Sequence, residues 1–258
     1  MDLPRNRFKA ALKDGRHQIG IWNAVPGRMI PEILARAGFD WIVVDCEHAP
    51  TSVGEVLGAL QAIAGVPGAS AVVRPESNDP VLIKRLLDIG AQTLLIPYVQ
   101  SGEEARAAVA ATRYPPDGIR GVAGHHRASG YGLVGDYIAR AAGELCVILQ
   151  IETAAGLDAL DDIAGTPGVD GVFIGPADLA ASLGHPGNPA HPEVQRRIGQ
   201  ALDRLKALGV PAGILYVTPD MARAAMAQGT SFTAVGLDVM LLSGGAAALR
   251  GAFPAPDA

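Results

Sequence analysis

Short runs rich in Val and Ile recur along the chain, separated by longer segments in which apolar residues return every three or four positions. The runs predict eight strands: Ile19–Asn23, Trp41–Cys46, Ala71–Pro75, Thr93–Tyr98, Cys146–Ile151, Gly171–Gly175, Ala212–Tyr216 and Thr233–Leu237. They are apolar almost throughout, as strands are when helices cover both faces of a parallel sheet. The segments between them predict amphipathic helices at Arg28–Ala37, Ser52–Ala64, Asp79–Ile89, Gly102–Thr112, Val134–Ala142, Ala154–Ile163, Pro192–Leu208, Thr218–Gln228 and Ser243–Gly251. Ser52 and Glu55 have the spacing of a capping box. Pro80 stands in the first turn of its helix and Gly90 just past the end. Strand–helix alternation repeated eight times over ~250 residues predicts one (β/α)8 TIM barrel, spanning residues 1–258. An open doubly wound sheet is the alternative, but no G-x-G-x-x-G follows the first strand. One segment breaks the rhythm. The connection Arg113–Gly135 is long enough to be a lid, an oligomer contact or a surface loop.

Composition narrows the function. The 258 residues are 49% hydrophobic and 18% charged, enough for a large core and too apolar for disorder. The net charge of -5 offers no basic block for nucleic acid. No apolar run reaches the ~20 residues of a membrane span, and no apolar stretch follows Met1–Arg7 as a secretory signal would require. Cys46 and Cys146 lie in apolar runs and read as small buried hydrophobes in a reduced, cytoplasmic setting.

In a barrel of this kind the C-terminal strand ends converge on the active site. Polar residues collect there. Trp22 ends the first strand, Asp45-Cys46-Glu47-His48 the second and Arg74 the third. Gln150-Ile151-Glu152 leaves the fifth and Gly175-Pro176-Ala177-Asp178 the sixth. Glu152 and Asp178 could share a hard divalent cation with positions left open for substrate. Read alone, Asp178 could equally cap a helix, and Glu152 could be a solvated loop residue. His48 suits a general base, its ordinary pKa being about 6.5, or a turn histidine. Arg74 suits an oxyanion or carboxylate partner, or a structural ion pair with Glu152 or Asp178. The four lysines, Lys9, Lys13, Lys84 and Lys206, all fall outside the strands and their ends, which speaks against a Schiff base. His125-His126 lies on the long connection with no acidic neighbour in sequence. Gly184–Pro189 reads as a turn-rich rim loop.

The motifs Trp41–Pro50, Val73-Arg74-Pro75, Leu86–Ala91, Leu94–Pro97, Gln150–Thr153 and Gly175–Ala180, in this order, resemble the HpcH/HpaI aldolase family over residues 17–250. Within it they resemble the 4-hydroxy-2-oxoheptanedioate and 2-dehydro-3-deoxyglucarate aldolase branch. The resemblance implies a class II pyruvate aldolase using Mg, Mn or Co, with no nucleotide cofactor. It implies Glu152 and Asp178 as metal ligands, His48 as base and Arg74 as the charge-stabilising arginine. Gln150, Ala177 and Asp178 would contact pyruvate, with Trp22 beside them. Asp88 would reach a neighbouring subunit's His48, and Asp45 would orient His48 within its own chain. The assembly implied is a homohexamer, a dimer of trimers that exchanges its last helices. The partners are then a 2-oxo acid and an aldehyde. Cys46 departs from the family, where glycine is common. A malyl- or citramalyl-CoA lyase is the nearest rival, but the chain has no basic surface for a nucleotide. A non-catalytic binding protein on the same barrel would have lost at least one of His48, Arg74, Glu152 or Asp178.

Overall fold

Eight strands pair in parallel and in sequence order until the last closes on the first. They are β1 (Gln18–Asn23), β2 (Trp41–Asp45), β3 (Ser70–Arg74), β4 (Thr93–Ile96), β5 (Cys146–Ile151), β6 (Gly171–Ile174), β7 (Ala212–Leu215) and β8 (Phe232–Leu237). The computed structural model describes residues 1–253. Around the barrel run α1 (Arg7–Lys13), α2 (Met29–Arg36), α3 (Val53–Ala64), α4 (Pro80–Asp88), α5 (Gly102–Thr112) and α6 (Tyr137–Glu144). They are followed by α7 (Ala154–Asp158), α8 (Leu160–Ala164), α9 (Pro176–Ser182), α10 (Pro192–Leu208), α11 (Pro219–Gln228) and α12 (Asp238–Gly251). The TIM barrel expected from the alternation is therefore the fold. Among the described residues, no helix is long and apolar enough to cross a membrane.

Successive side chains of a strand point to opposite faces, so each apolar run splits between two cores. Ile42, Val44, Val73, Val147 and Leu149 pack outward against the helices. Trp41, Val43, Val72, Cys146 and Ile148 fill the barrel interior with Phe8, Phe173 and Phe232. Two glycines admit the largest interior rings. A Cβ on Gly20 would sit 2.1 Å from the Trp41 ring, and one on Gly213 would sit 2.1 Å from the Phe232 ring. The lower end is closed by α1. Its Phe8 meets Trp41 and Phe232 edge-on at centroid distances of 5.8 and 5.4 Å. Beside it, Lys9 bridges the Leu145 carbonyl and Asp170.

Several boundaries differ from expectation. β4 stops at Ile96, because Pro97 has no N–H for the ladder and Tyr98 turns left-handed, at φ 57°. The helix expected over Ala154–Ile163 is two short ones, divided at Ala159. The helix expected from Val134 begins at Tyr137, and the last begins at Asp238 instead of Ser243. α1 and α9 were not anticipated. Both signals of the Ser52–Glu55 capping box are present, and Gly90 takes φ 99° after α4.

The long connection belongs to the opposite end from the expected active site. It follows the C-terminus of α5, and Arg120 within it pairs with Asp88 at the C-terminus of α4. Both helix ends lie at the N-terminal side of the strands. The connection therefore cannot be a lid over this chain's own strand mouths. It holds a 3₁₀ turn at Arg127–Ser129 and a small apolar cluster of Tyr114, Val134, Tyr137 and Ala141.

Truncating the ring that closes the barrel tests its weight. Phe8→Ala should cost about 3–5 kcal/mol, the usual loss for a buried aromatic, read as a lowered urea midpoint with an unchanged slope.

Candidate active site

Interior parity decides which polar residues meet. In β2 the inward set runs Trp41, Val43, Asp45; in β3 it runs Val72, Arg74. In β5 the set Cys146, Ile148, Gln150 extends to Glu152. Each apolar run thus ends in a polar side chain on the same inward face, and these ends form the top layer of the barrel. Asp45 and Arg74 are direct cross-strand partners. Arg74 donates from Nε to Asp45 Oδ1 at 2.8 Å and from Nη2 to Asp45 Oδ2 at 2.6 Å. Its Nη1 lies 2.8 Å from Glu47 Oε2. The guanidinium rests 5.1 Å above the Trp22 ring, so buried Trp22 floors the site. Burial raises the Asp45 pKa, but the Arg74 hydrogen bonds and charge and the N–H groups of Glu47 and His48 outweigh it, leaving it below the ordinary value. Arg74 pairs with Asp45 and Glu47, so the structural ion pair considered for it with Glu152 or Asp178 is not the one formed.

Glu152 is buried, only 2% exposed, which removes the solvated-loop reading. Its Oε1 accepts the Tyr98 N–H at 2.9 Å and its Oε2 accepts Gln150 Nε2 at 2.5 Å. A Cβ on Gly175 would fall 2.6 Å from that Oε2, so only glycine leaves room for the carboxylate. Burial pushes the Glu152 pKa up to about 7, with the charges of Glu47 and Asp178 adding to it. Burial likewise raises Glu47, where Arg74 pulls against it and Asp45 and Asp178 push with it. Four carboxylates thus feel one another around a single guanidinium. Asp178 stands in the first turn of α9 and is exposed. Gly175, not Asp178, occupies the cap position.

The donor set suits a hard cation. Each Glu152 oxygen has a second lone pair, and Asp178 makes no hydrogen bond or ion pair among the described residues. Gln150 Oε1 is buried without a hydrogen-bond partner, and Glu47 Oε2 is held by its ion pair with Arg74. All these donors are oxygen, and together they carry more negative charge than Arg74 offsets, the chemistry that holds Mg²⁺ or Mn²⁺.

Other candidate residues lie farther out. The His48 side chain is 62% exposed, with Nε2 3.8 Å from Glu47 Oε2. Asp45 accepts the backbone N–H of Glu47 and, at 3.5 Å, of His48; its side-chain hydrogen bonds go to Arg74. Within this chain Asp45 thus shapes the turn that carries His48 instead of gripping the imidazole. Asp88 is at the far end of the barrel, 2.7 Å from Arg120 Nη2 and 3.5 Å from His126 Nε2. His126 therefore has an acidic neighbour that its sequence position did not reveal. Two residues were missed. Glu47 follows Asp45 by two positions and continues the inward spacing of β2, a readable signal. Tyr98 acts through its backbone N–H, which leaves no trace in the sequence.

A profile for HpcH/HpaI aldolase/citrate lyase matches residues 18–244. The chain belongs to the HpcH/HpaI aldolase family. It is 58% identical over 253 residues to a pyruvate aldolase of Rhizobium etli, covering 98% of this chain and 99% of that one. It is 53% identical to a 4-hydroxy-2-oxo-heptane-1,7-dioate aldolase of Klebsiella pneumoniae, covering 96% and 94%. The crystal structure of a family member from Burkholderia cenocepacia superposes with TM-score 0.92 at 40% identity, covering 96% and 99%. This HpcH/HpaI protein is accordingly an aldolase, a carbon–carbon lyase.

Glu152 should leave a pH signature in the metal-free protein. Its folded pKa of about 7 exceeds the ordinary 4.5, so the folded state binds the proton more tightly than the unfolded state. Its contribution is full below the ordinary value and is lost as pH rises through 7. Between pH 5 and 8 the chain should lose about 1–3 kcal/mol through this group. Denaturant titrations of wild type and Glu152→Gln at both pH values check it; the variant should show the smaller fall.

Proposed function

We propose that this aldolase is of the metal-dependent class II. It makes or breaks the C3–C4 bond of 4-hydroxy-2-oxo acids, with pyruvate or a close 2-oxo acid as enolate donor and an aldehyde as acceptor. The observation that carries this reading is the surplus of carboxylate around Arg74, with Glu152 buried and Asp178 open beside it. Glu152 and Asp178 would hold the divalent ion, which supplies Lewis-acid stabilisation of the enolate charge. Arg74, oriented by Asp45 and Glu47, adds a second positive group at the same oxyanion. Gln150 is fixed through Nε2 and keeps Oε1 free of protein partners, ready for a donor on the substrate. Ala177 and Asp178 face the pyruvate carboxylate from the first turn of α9, above the Trp22 floor. In cleavage, His48 removes the proton from the C4 hydroxyl. The C3–C4 electron pair passes to the enolate, the aldehyde departs, and the proton taken up by His48 is returned to C3 to give pyruvate; addition reverses each movement.

The site is completed by a neighbour. His48 is open to solvent in one chain, and Asp88 lies too far round its own barrel to reach it. Residues 239–253 are all exposed, including Leu241, Leu242, Leu249 and Phe253. A helix of 14 residues is marginal alone in water, so α12 calls for a second chain. The dimer of trimers with exchanged last helices satisfies that need. Asp88, set against the neighbour's His48, would raise the basicity of the imidazole.

Two measurements test the reading. Exchange of pyruvate methyl protons into deuterated water should stop on chelation and return with Mg²⁺, Mn²⁺ or Co²⁺. Full exchange in metal-free protein, or pyruvate fixed to a lysine by borohydride, overturns it. Separately, His48→Ala should slow exchange about 10²–10⁴-fold, and Asp88→Asn should lower it without dissociating the oligomer. Chains of the two variants mixed under subunit exchange should regain activity above either alone; no recovery sinks the shared site.

A further inference from the structure

The loop between α9 and α10 carries two histidines that the aldol chemistry does not use. His185 and His191 stack with centroids 3.5 Å apart and planes 17° from parallel. His185 Nε2 lies 2.9 Å from Glu193 Oε2. One donor atom from each of His185, His191 and Glu193 falls within 4.8 Å of the others. The backbone holds them there. His185 donates to the Ala180 carbonyl at 2.7 Å, Asn188 to His185 at 3.0 Å and His191 to Asn188 at 3.1 Å. Consecutive turns thus fix the loop against the start of α10. The cluster remains within reach of solvent ions, with side-chain exposures of 25% for His185 and 47% for Glu193.

We infer that His185, His191 and Glu193 form a second metal site, selective for imidazole-seeking ions such as Zn²⁺, Ni²⁺ or Cu²⁺. Two imidazoles and a carboxylate suit those ions, whereas Mg²⁺ prefers an all-oxygen set. The site shares no residue with Glu152 and Asp178. The carboxylate is available, since hydrogen bonding to His185 holds the Glu193 pKa below its ordinary value. The ion would take the place of the proton between His185 and Glu193. Two terms oppose it. Glu193 N–H now donates to His191 Nδ1 at 3.2 Å. His191 can ligate through either nitrogen only by giving up that bond, because a neutral ring that coordinates through Nε2 carries its proton on Nδ1. The positive end of α10 also disfavours a cation, an effect that Glu193 in the first turn offsets. The bound ion would pin the rim loop to α10, so zinc-class metals would be counted twice per chain where magnesium is counted once. That last comparison rests on the metal reading of Glu152 and Asp178.

Zn²⁺ titrated by calorimetry into the full chain, its His185→Ala variant and its Glu152→Gln variant separates the two sites. His185→Ala should take up one Zn²⁺ fewer than wild type, or bind it at least about tenfold more weakly, since loss of an outer-shell partner alone costs that much. Its aldol turnover in Mg²⁺ should be unchanged, which also reports that it folds. Glu152→Gln should keep the ion that His185→Ala loses. Equal stoichiometry and affinity in wild type and His185→Ala overturns the second site. A full complement of Zn²⁺ in Glu152→Gln, with one lost in His185→Ala, instead removes only the metal role of Glu152. His185→Gln, tested alongside, should reproduce the loss while preserving the bulk of the loop.

Discussion

The pair between Asp45 and Arg74 is an expensive arrangement. Both side chains are almost without solvent, at 2% and 7% exposure. Removing two charges from water costs several kcal/mol per ion, and their attraction returns that only in good geometry. Here the geometry is bidentate and in register across β2 and β3. A hydrophobic pair at the same positions would serve stability as well or better. What the ions provide is a guanidinium fixed in position at the top of a rigid barrel, with Trp22 beneath and Glu47 at its side. Trp22, Asp45 and Glu47 all pack directly on that fixed charge.

One positive group cannot neutralise the carboxylates around it, and the imbalance shows in their chemistry. Glu152 is pushed to about 7 even though Gln150 and the Tyr98 N–H both stabilise its charged form. The left-handed backbone at Tyr98, an uncommon conformation for an aromatic residue, accompanies the N–H that meets this oxygen. A buried carboxylate with a raised pKa, beside a residue in an uncommon backbone conformation, is the kind of feature that gathers at functional sites. The metal-dependent proposal draws on the same crowding of carboxylates, and Gly175 lacks a side chain because Glu152 occupies the space a Cβ would need.

The sequence made the barrel legible because eight apolar runs and their caps repeat a simple pattern. Asp45, Arg74, Gln150 and Glu152, which the barrel brings to one face, were also conspicuous as polar residues at the ends of apolar strands. What stayed hidden depended on partners distant along the chain. Arg120 and His126 meet Asp88 across 32 and 38 positions of chain, and nothing local announces it. Asp238 accepts the N–H groups of Ala24 and Val25 and the amide of Asn23, tying the first strand to the last helix. That bond is a product of barrel closure and has no local signature. Split α7 and α8, and the early end of β4, turn on single backbone conformations at Ala159 and Tyr98. Glu47 was readable in principle, because inward spacing continues for one step after the strand itself ends.

Asp88 has a structural role in its own chain beside the one proposed for it. A carboxylate at a helix C-terminus faces the negative end of the dipole, which by itself invites a catalytic explanation. The structure supplies another, because Arg120 has no exposed surface, packs its guanidinium 4.5 Å over Tyr114 and needs an anion there. Arg120 and Asp88 compensate each other, so the helix-end position alone no longer argues for catalysis. The argument that survives is positional. Asp88 and the long connection lie at the opposite end of the barrel from His48, whereas α12 leaves the top of β8 at Asp238 with its apolar side chains exposed. A second subunit that covers α12 would enclose His48 and give Asp88 a site to serve. Within one chain Arg120 and His126 already account for Asp88, so the proposed assembly is needed for the exposed apolar face of α12 and for the role proposed for Asp88 at a neighbour's His48.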